Sequence, residues 1–155
     1  MIDLITAAAV EVATNADDRE WSVARPSRSV SAVRAASTWP AKWRPWAACV
    51  LDRESGGTLD RPQSGVAAQN PSGAAGRWQM MPAWQRGGPY MAKQRLIRHG
   101  VSRQQANAVR EWMHRHPITT WPGLYQDIVA IEAVERGGWR HWTLPGSRCQ
   151  GLVPR

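Results

Sequence analysis

The chain has no phenylalanine and only two tyrosines, against ten tryptophans. Lysine is almost missing as well, since Lys42 and Lys93 stand alone and arginine carries the rest of the positive charge. That skew fits a GC-rich coding sequence rather than any one activity. Cysteine is scarce: Cys49 and Cys149 are the two present, with no CxxC and no Cys/His cluster, so no metal site is expected. They are either both reduced and buried or joined in one long-range bridge, depending on the redox compartment. No apolar run approaches ~20 residues, so no membrane span is expected. Asp3 near the start and the lack of a basic leader predict no secretory signal.

Acids are also few, 12 against 20 basic residues, for a net charge of +8 and a pI near 10.9. Such a surface favours a polyanion, whether nucleic acid or an anionic cell wall, and charge alone does not choose between them. A length of 155 residues, 43% hydrophobic and 21% charged, suits one soluble globular domain with a real core. Most of the tryptophans belong in that core, although an indole also suits a cleft where a sugar face stacks on a ring.

Residues 3–14 read as an amphipathic helix with Asp3 as N-cap and Leu4, Ile5, Ala8 and Val12 on one stripe. From Asn15 to Trp39 the chain is polar with little period, a loosely structured lead-in, and the compact domain is expected over 40–150. Leu152-Val153-Pro154-Arg155 reads as the remnant of a cleaved protease-site tag, outside the fold. Further helices are expected over 89–98, closed by Gly100, and from a Ser102/Gln105 capping box to Met113, stopped by Pro117. Another covers 124–135, with Leu124, Ile128 and Ile131 on one face and Gly137-Gly138 at its end. The fold class is mostly α.

The helix that bears chemistry runs over 45–54. Trp46, Ala47, Val50 and Leu51 make a buried stripe, and Pro45 suits the first turn. Glu54, four residues after Val50, continues that stripe, whereas Asp52 projects roughly 160° away into solvent. Gly56-Gly57 ends the helix. A glutamate on a dry, buried face would hold its proton near neutrality, as a general acid must to protonate a glycosidic oxygen. Residues 58–76 then form an irregular loop or short hairpin. The segment beyond it offers Gly76, Arg77, Trp78 and Gln79 for sugar hydroxyls and faces.

The set RESGG, residues 53–57, followed by NPSGAAGRWQMMPAW, residues 70–84, resembles the lysozyme-like superfamily of soluble lytic transglycosylases, goose-type lysozymes and resuscitation-promoting factors. Glu54-Ser55 matches that family's Glu-Ser pair at a helix end, and Gly76-Arg77-Trp78-Gln79 its Gly-x-x-Gln segment. Residues 126–142, QDIVAIEAVERGGWRHW, are similar to the late helix and Trp-bearing tail of the resuscitation-promoting group. The resemblance covers roughly residues 40–149. It implies a lysozyme-like domain that cleaves the MurNAc–GlcNAc β-1,4 bond of peptidoglycan, with no cofactor and as a monomer. Glu54 would be the acid and then the base, and Ser55 would hold its carboxylate. Gly76, Trp78, Gln79, Met80 and Trp84 would line the cleft, with Asp60 the nearest further acid.

Position 77 is Arg and position 78 is Trp, where many members of the resembled family carry smaller or aliphatic residues, which implies a differently shaped inner subsite. Residues 61–82 contain no Asp or Glu, unlike goose-type lysozymes. Without a second carboxylate to activate water, attack by the substrate's own hydroxyl is the better reading, leaving a 1,6-anhydro sugar. The resemblance also implies a Cys49–Cys149 disulfide tying the catalytic helix to the tail. Action at the bacterial cell wall, as a phage lysin or tail-associated wall hydrolase or as part of a longer chain, follows from the same comparison. Two rivals stand beside it. Residues 95–113 read as a basic helix-turn-helix in which Arg103, Gln104, Asn107 and Arg110 could face a DNA groove. A non-catalytic wall-binding module of the same fold would lose only turnover.

Overall fold

The last long helix is buried at every position from Leu124 to Val134, although its sequence reads as amphipathic. The computed structural model describes residues 28–65, 68–143 and 145–155. The proposed N-cap Asp3 and the helix over 3–14 lie outside them. Five α-helices occur among the described residues: α1 (Arg28–Ser37), α2 (Arg44–Ser55), α3 (Trp84–Arg98), α4 (Arg103–Arg115) and α5 (Gly123–Glu135). Short 3-10 turns at Ala41–Trp43, Ile118–Thr120, Gly138–His141 and Gln150–Leu152 punctuate them. No strand is present among the described residues, only isolated bridges pairing Thr58 with Arg61 and Ala75 with Met80. The protein is a mostly-α single domain.

α5 is the axis around which α1 and α3 pack, and α4 closes against α3. It can be buried on all sides because its polar residues find partners. Glu132 accepts from Arg98 Nη1 at 3.1 Å and from Arg136 Nε at 2.8 Å. Gln126 donates to the Trp121 carbonyl at 2.7 Å and accepts from the Arg77 amide at 2.8 Å. A buried charge or amide so satisfied is tolerated where an orphan would cost several kcal/mol.

Of the lead-in expected over 15–39, residues 15–27 lie outside the described residues, and over 28–39 the expectation, with the boundary at residue 40, is corrected. Residues 28–37 form α1, and Val33, Ala36 and Trp39 belong to the core. Its apolar residues recur at helical spacing, but interleaved serines and arginines hide the stripe. Ser37 and Thr38 hydroxyls cap the Arg34 carbonyl at 2.9 and 2.8 Å, which ends the helix before Pro40. At the other terminus Val153 packs against the core, so the tail read as a tag remnant touches the domain.

α3 starts at Trp84, five residues before the expected start, and runs through Gly87, Gly88 and Pro89. Gly88 serves packing here: a Cβ on it would lie 3.2 Å from the Trp121 ring and 3.3 Å from Val129. Of the expected capping box the N-cap half forms, with Ser102 Oγ accepting from the Gln105 amide at 3.2 Å, while the Gln105 side-chain oxygen accepts from the Ser102 hydroxyl at 3.0 Å. No helix among the described residues is long and apolar enough to cross a membrane.

Tryptophan builds much of the core. Trp39, Trp46, Trp78 and Trp142 pack ring on ring with centroids 5.1–6.3 Å apart. Trp43 adds to the cluster against Trp46 at 5.4 Å. Where phenylalanine would have been enough for filling, indole adds a donor: Trp46 Nε1 bonds Thr143 Oγ1 at 2.9 Å and Trp142 Nε1 bonds the Trp78 carbonyl at 2.7 Å.

Candidate functional site

Glu54 sits in the last turn of α2, on the stripe set by buried Trp46 and Val50. Pro45 opens the helix, and Gly56 closes it in the left-handed conformation at φ 69°. The Glu54 side chain is 23% exposed, so it stands at the edge of the buried face. The dry surround expected for it is corrected. Arg53 Nε donates to Glu54 Oε1 at 3.0 Å, and Arg53 Nη2 donates to the same oxygen. Arg53 Nη2 also donates to the Trp142 carbonyl. Ser55 does not hold the carboxylate either. Its hydroxyl bonds the Leu51 carbonyl one turn back, at 3.3 Å.

The Gly76–Gln79 segment is a tight turn closed by the Ala75–Met80 bridge, whose two backbone bonds are 2.9 and 2.8 Å long. Gly76 has φ 75°, and a Cβ there would run into Gln126 Oε1. Arg77 is buried. It donates to the Arg61, Pro62 and Ser64 carbonyls at 2.8–2.9 Å, and bonds Asp127 Oδ1 at 2.8 Å. The loop of residues 58–64 is therefore laced to α5 through one guanidinium. Burial pushes Asp127 up to about 6, with Arg77 and the Trp78 indole opposing that rise.

Trp78 is corrected as a cleft-lining side chain, and Met80 as a backbone contact for the sugar. Both side chains are fully buried, and Trp78 Nε1 donates to Asp127 Oδ1 at 2.6 Å. The Met80 amide and carbonyl are spent in the bridge to Ala75. Gln79 remains half-buried, and its φ of 46° is the one positive value of a non-glycine among the described residues. Its Nε2 donates to the Gly76 carbonyl at 2.9 Å. Backbone held in a sparsely populated region persists where the surroundings over-determine it, often at a functional site. Trp84 is also half-buried, packed on Trp142 at 5.4 Å and on His141 at 5.3 Å.

Two links bring these segments together. Gly65 lies between the two motifs, for a Cβ on it would meet Ser55 Oγ at 2.5 Å and Arg77 Cβ at 3.1 Å. The Arg53 guanidinium joins Glu54 to the Trp142 carbonyl, and Trp142 in turn packs on Trp78 and Trp84. The disulfide is present: Cys49 and Cys149 are bonded, with Cα atoms 5.8 Å apart. Arg148 pairs with Asp52 beside it.

Asp60 is not brought to Glu54. Its side chain is 85% exposed and pairs with Arg44 at 3.1 Å. It helps line a pocket of about 420 Å³ with Arg44, Ala48 and Asp52, the opposite face of α2. This pocket is a shallow, open one, and Glu54 takes no part in it. Among the described residues no group of three His, Cys, Asp or Glu side chains is placed to hold a metal ion.

The helix-turn-helix outline over 95–113 exists, turning at Gly100 with φ 92°. Leu96, Val109 and Met113 are buried, while Ile97 and Trp112 are partly buried against the core. Its basic residues are largely engaged. Arg95 is buried and bonds Glu135 Oε2 at 2.6 Å, Arg98 holds Glu132, and Arg110 bonds Glu111 at 3.3 Å while lying over the Tyr90 ring. Asn107 is half-buried, which leaves Arg103 and Gln104 exposed in the proposed groove-facing set.

Sequence reasoning missed Arg53 and Asp127 as parts of this region, whereas the Trp142-bearing tail was expected beside the helix of Glu54 through the disulfide. Arg53 adjoins the glutamate, so its chance to pair was visible. The Arg77–Asp127 pair spans 50 residues and leaves no local signal. No protein-family model matches the sequence, and no curated protein or solved structure matches it either.

Proposed function

We propose that the protein cleaves the MurNAc–GlcNAc β-1,4 bond of bacterial peptidoglycan as a lytic transglycosylase, with Glu54 as general acid and then base. The observation that carries this reading is that Ser55, beside Glu54, and Arg77, in the Gly76–Gln79 turn, both lie against Gly65, where a Cβ would meet Ser55 Oγ at 2.5 Å and Arg77 Cβ at 3.1 Å. Those are the segments on which the resemblance to lysozyme-like enzymes rests, in the same order along the chain. The disulfide from α2 to the tail is consistent with it.

Glu54 would protonate the glycosidic oxygen as the C1–O bond breaks, and the departing sugar would keep the bonding electron pair. The 6-hydroxyl of the MurNAc residue would then attack C1, returning its proton to Glu54 and closing a 1,6-anhydro ring. Among the described residues no second free carboxylate stands beside Glu54, which favours this route over water attack. Among the described residues Asp52 and Asp60 face the other side of α2, and Asp127 is occupied by Arg77 and Trp78. Gln79 and Trp84, the half-exposed members of the region, would contact the sugar.

The test is Glu54→Gln, which keeps shape but delivers no proton. General acid–base catalysis is typically worth ~10²–10⁴-fold, and muropeptide release from purified walls should fall by that order. Equal release by both proteins would remove Glu54 from the chemistry.

A further inference from the structure

We propose that Arg53 is a positioning residue for Glu54, fixing one carboxylate oxygen so that the other alone carries the proton. This rests on the glycosidase reading above. Both Arg53 donors meet the same atom, Glu54 Oε1, and no hydrogen bond to Oε2 occurs among the described residues. A fork directed at a carboxylate ordinarily takes both oxygens, one per N–H. Here the second direction is taken by the Trp142 carbonyl instead.

The consequence is geometric. A glutamate in a helix's last turn has three rotatable bonds, and its proton-bearing oxygen would otherwise sample several positions. Arg53 pins Oε1 between α2 and the tail, and its own side chain is only 29% exposed. The tail is held in turn by the Trp142 indole on the Trp78 carbonyl and by the Cys49–Cys149 bridge. Glu54 is thereby referenced to the body of the domain and not only to its own helix. Oε2 is then the oxygen left to pass a proton to the leaving oxygen and to take one from the attacking 6-hydroxyl, while Oε1 stays bound to Arg53 throughout.

A near-attack geometry lost by about 1 Å reduces a rate by roughly 10²-fold. Arg53→Lys keeps the charge but cannot reach both Glu54 and the Trp142 carbonyl with a planar fork. Arg53→Ala removes both contacts. On soluble glycan chains, kcat should fall by about 10-fold to 100-fold for both variants, with KM changed by less than about threefold. Added guanidinium at millimolar concentration should restore part of the Arg53→Ala rate and none of the Glu54→Gln rate. Far-ultraviolet circular dichroism and the unfolding midpoint check that both variants fold. Folded variants with wild-type kcat, or a loss confined to KM, would overturn the positioning role while leaving Glu54 in place. Wild-type protein that releases no product at all would overturn the glycosidase reading itself, and the role of Arg53 with it.

Discussion

Arg77 meets both carboxylate oxygens of Asp127, Nε on Oδ1 at 2.8 Å and Nη2 on Oδ2 at 3.2 Å, with both side chains almost wholly buried. The same guanidinium collects the backbone carbonyls of the loop that follows α2. One arginine therefore joins the central helix, the Gly76–Gln79 turn and the loop behind Glu54. The arginine at position 77 is explained by this internal task.

Removing one partner of such a pair strands a buried charge, at about 3–5 kcal/mol. Arg77→Met should lower unfolding free energy by that amount in urea titration. Arg77→Met combined with Asp127→Leu should recover a substantial part, because no unpaired charge then remains. A double variant as unstable as the single one would show that the loop carbonyls, rather than Asp127, dominate.

The pair also sets a pH dependence. Burial raises Asp127 from 3.8 to about 6 in the folded state, so between those values the folded protein binds the proton that the unfolded chain releases. Stability from this group is full below about pH 4 and is lost as pH rises through 6. The magnitude is roughly 3 kcal/mol, since each tenfold change in proton affinity corresponds to about 1.36 kcal/mol. Asp127→Asn does not titrate, so the difference in unfolding free energy between the two proteins should move toward the variant from pH 4 to 7. A difference constant across that range would place the proton elsewhere.

How far the sequence reached can be seen in these same elements. α2, its buried stripe and its glycine stop were legible because all the signals are local: an apolar period, a Pro at the start and a left-handed Gly at the end. So was the Ser102 cap. α1 was not, since Val33 and Ala36 are too few among serines and arginines to raise the period above its surroundings. Arg95, Asp127 and Glu132 read as polar positions, yet they are buried by partners distant in sequence. Trp78 was read as a sugar platform from its place in a motif. Its burial follows from the indole partner Asp127, which nothing within the motif announces.

The Cys49–Cys149 bond closes a separation of 100 residues. A loop of that size corresponds to about 5 kcal/mol of denatured-state constraint in the chain-entropy account. Reduction, or Cys149→Ser with Cys49→Ser, should lower unfolding free energy by about 2–5 kcal/mol. An unchanged denaturation midpoint under reductant would mean that the tail is held by Arg148–Asp52 and the tryptophan contacts alone.

Gly76 stands at φ 75° with Gln126 against it. Gly76→Ala should therefore destabilise by more than the ~1–2 kcal/mol that a left-handed backbone alone imposes. Gln126→Ala in the same background should relieve the steric part but not the backbone part. If Gly76→Ala alone is neutral, the turn does not press against α5 at Gln126.

The product distinguishes transglycosylation from hydrolysis, and the position of Asp60 fixes what its removal should do. Asp60 pairs with Arg44 on the pocket-bearing face of α2, and at 85% exposure that pair is worth little to stability. Mass spectrometry of released muropeptides should show 1,6-anhydro ends, lighter by one water than reducing ends. Asp60→Asn should leave both the product and the rate within about twofold, as expected for a carboxylate that never meets the reacting atoms. A large loss of rate, with reducing ends as the dominant wild-type product, would bring Asp60 into the cleft as the group that activates water. The loop between Gly57 and Asp60 would then have to swing around the end of α2, breaking the Arg77 bonds to the Thr58 and Arg61 carbonyls that hold it in place.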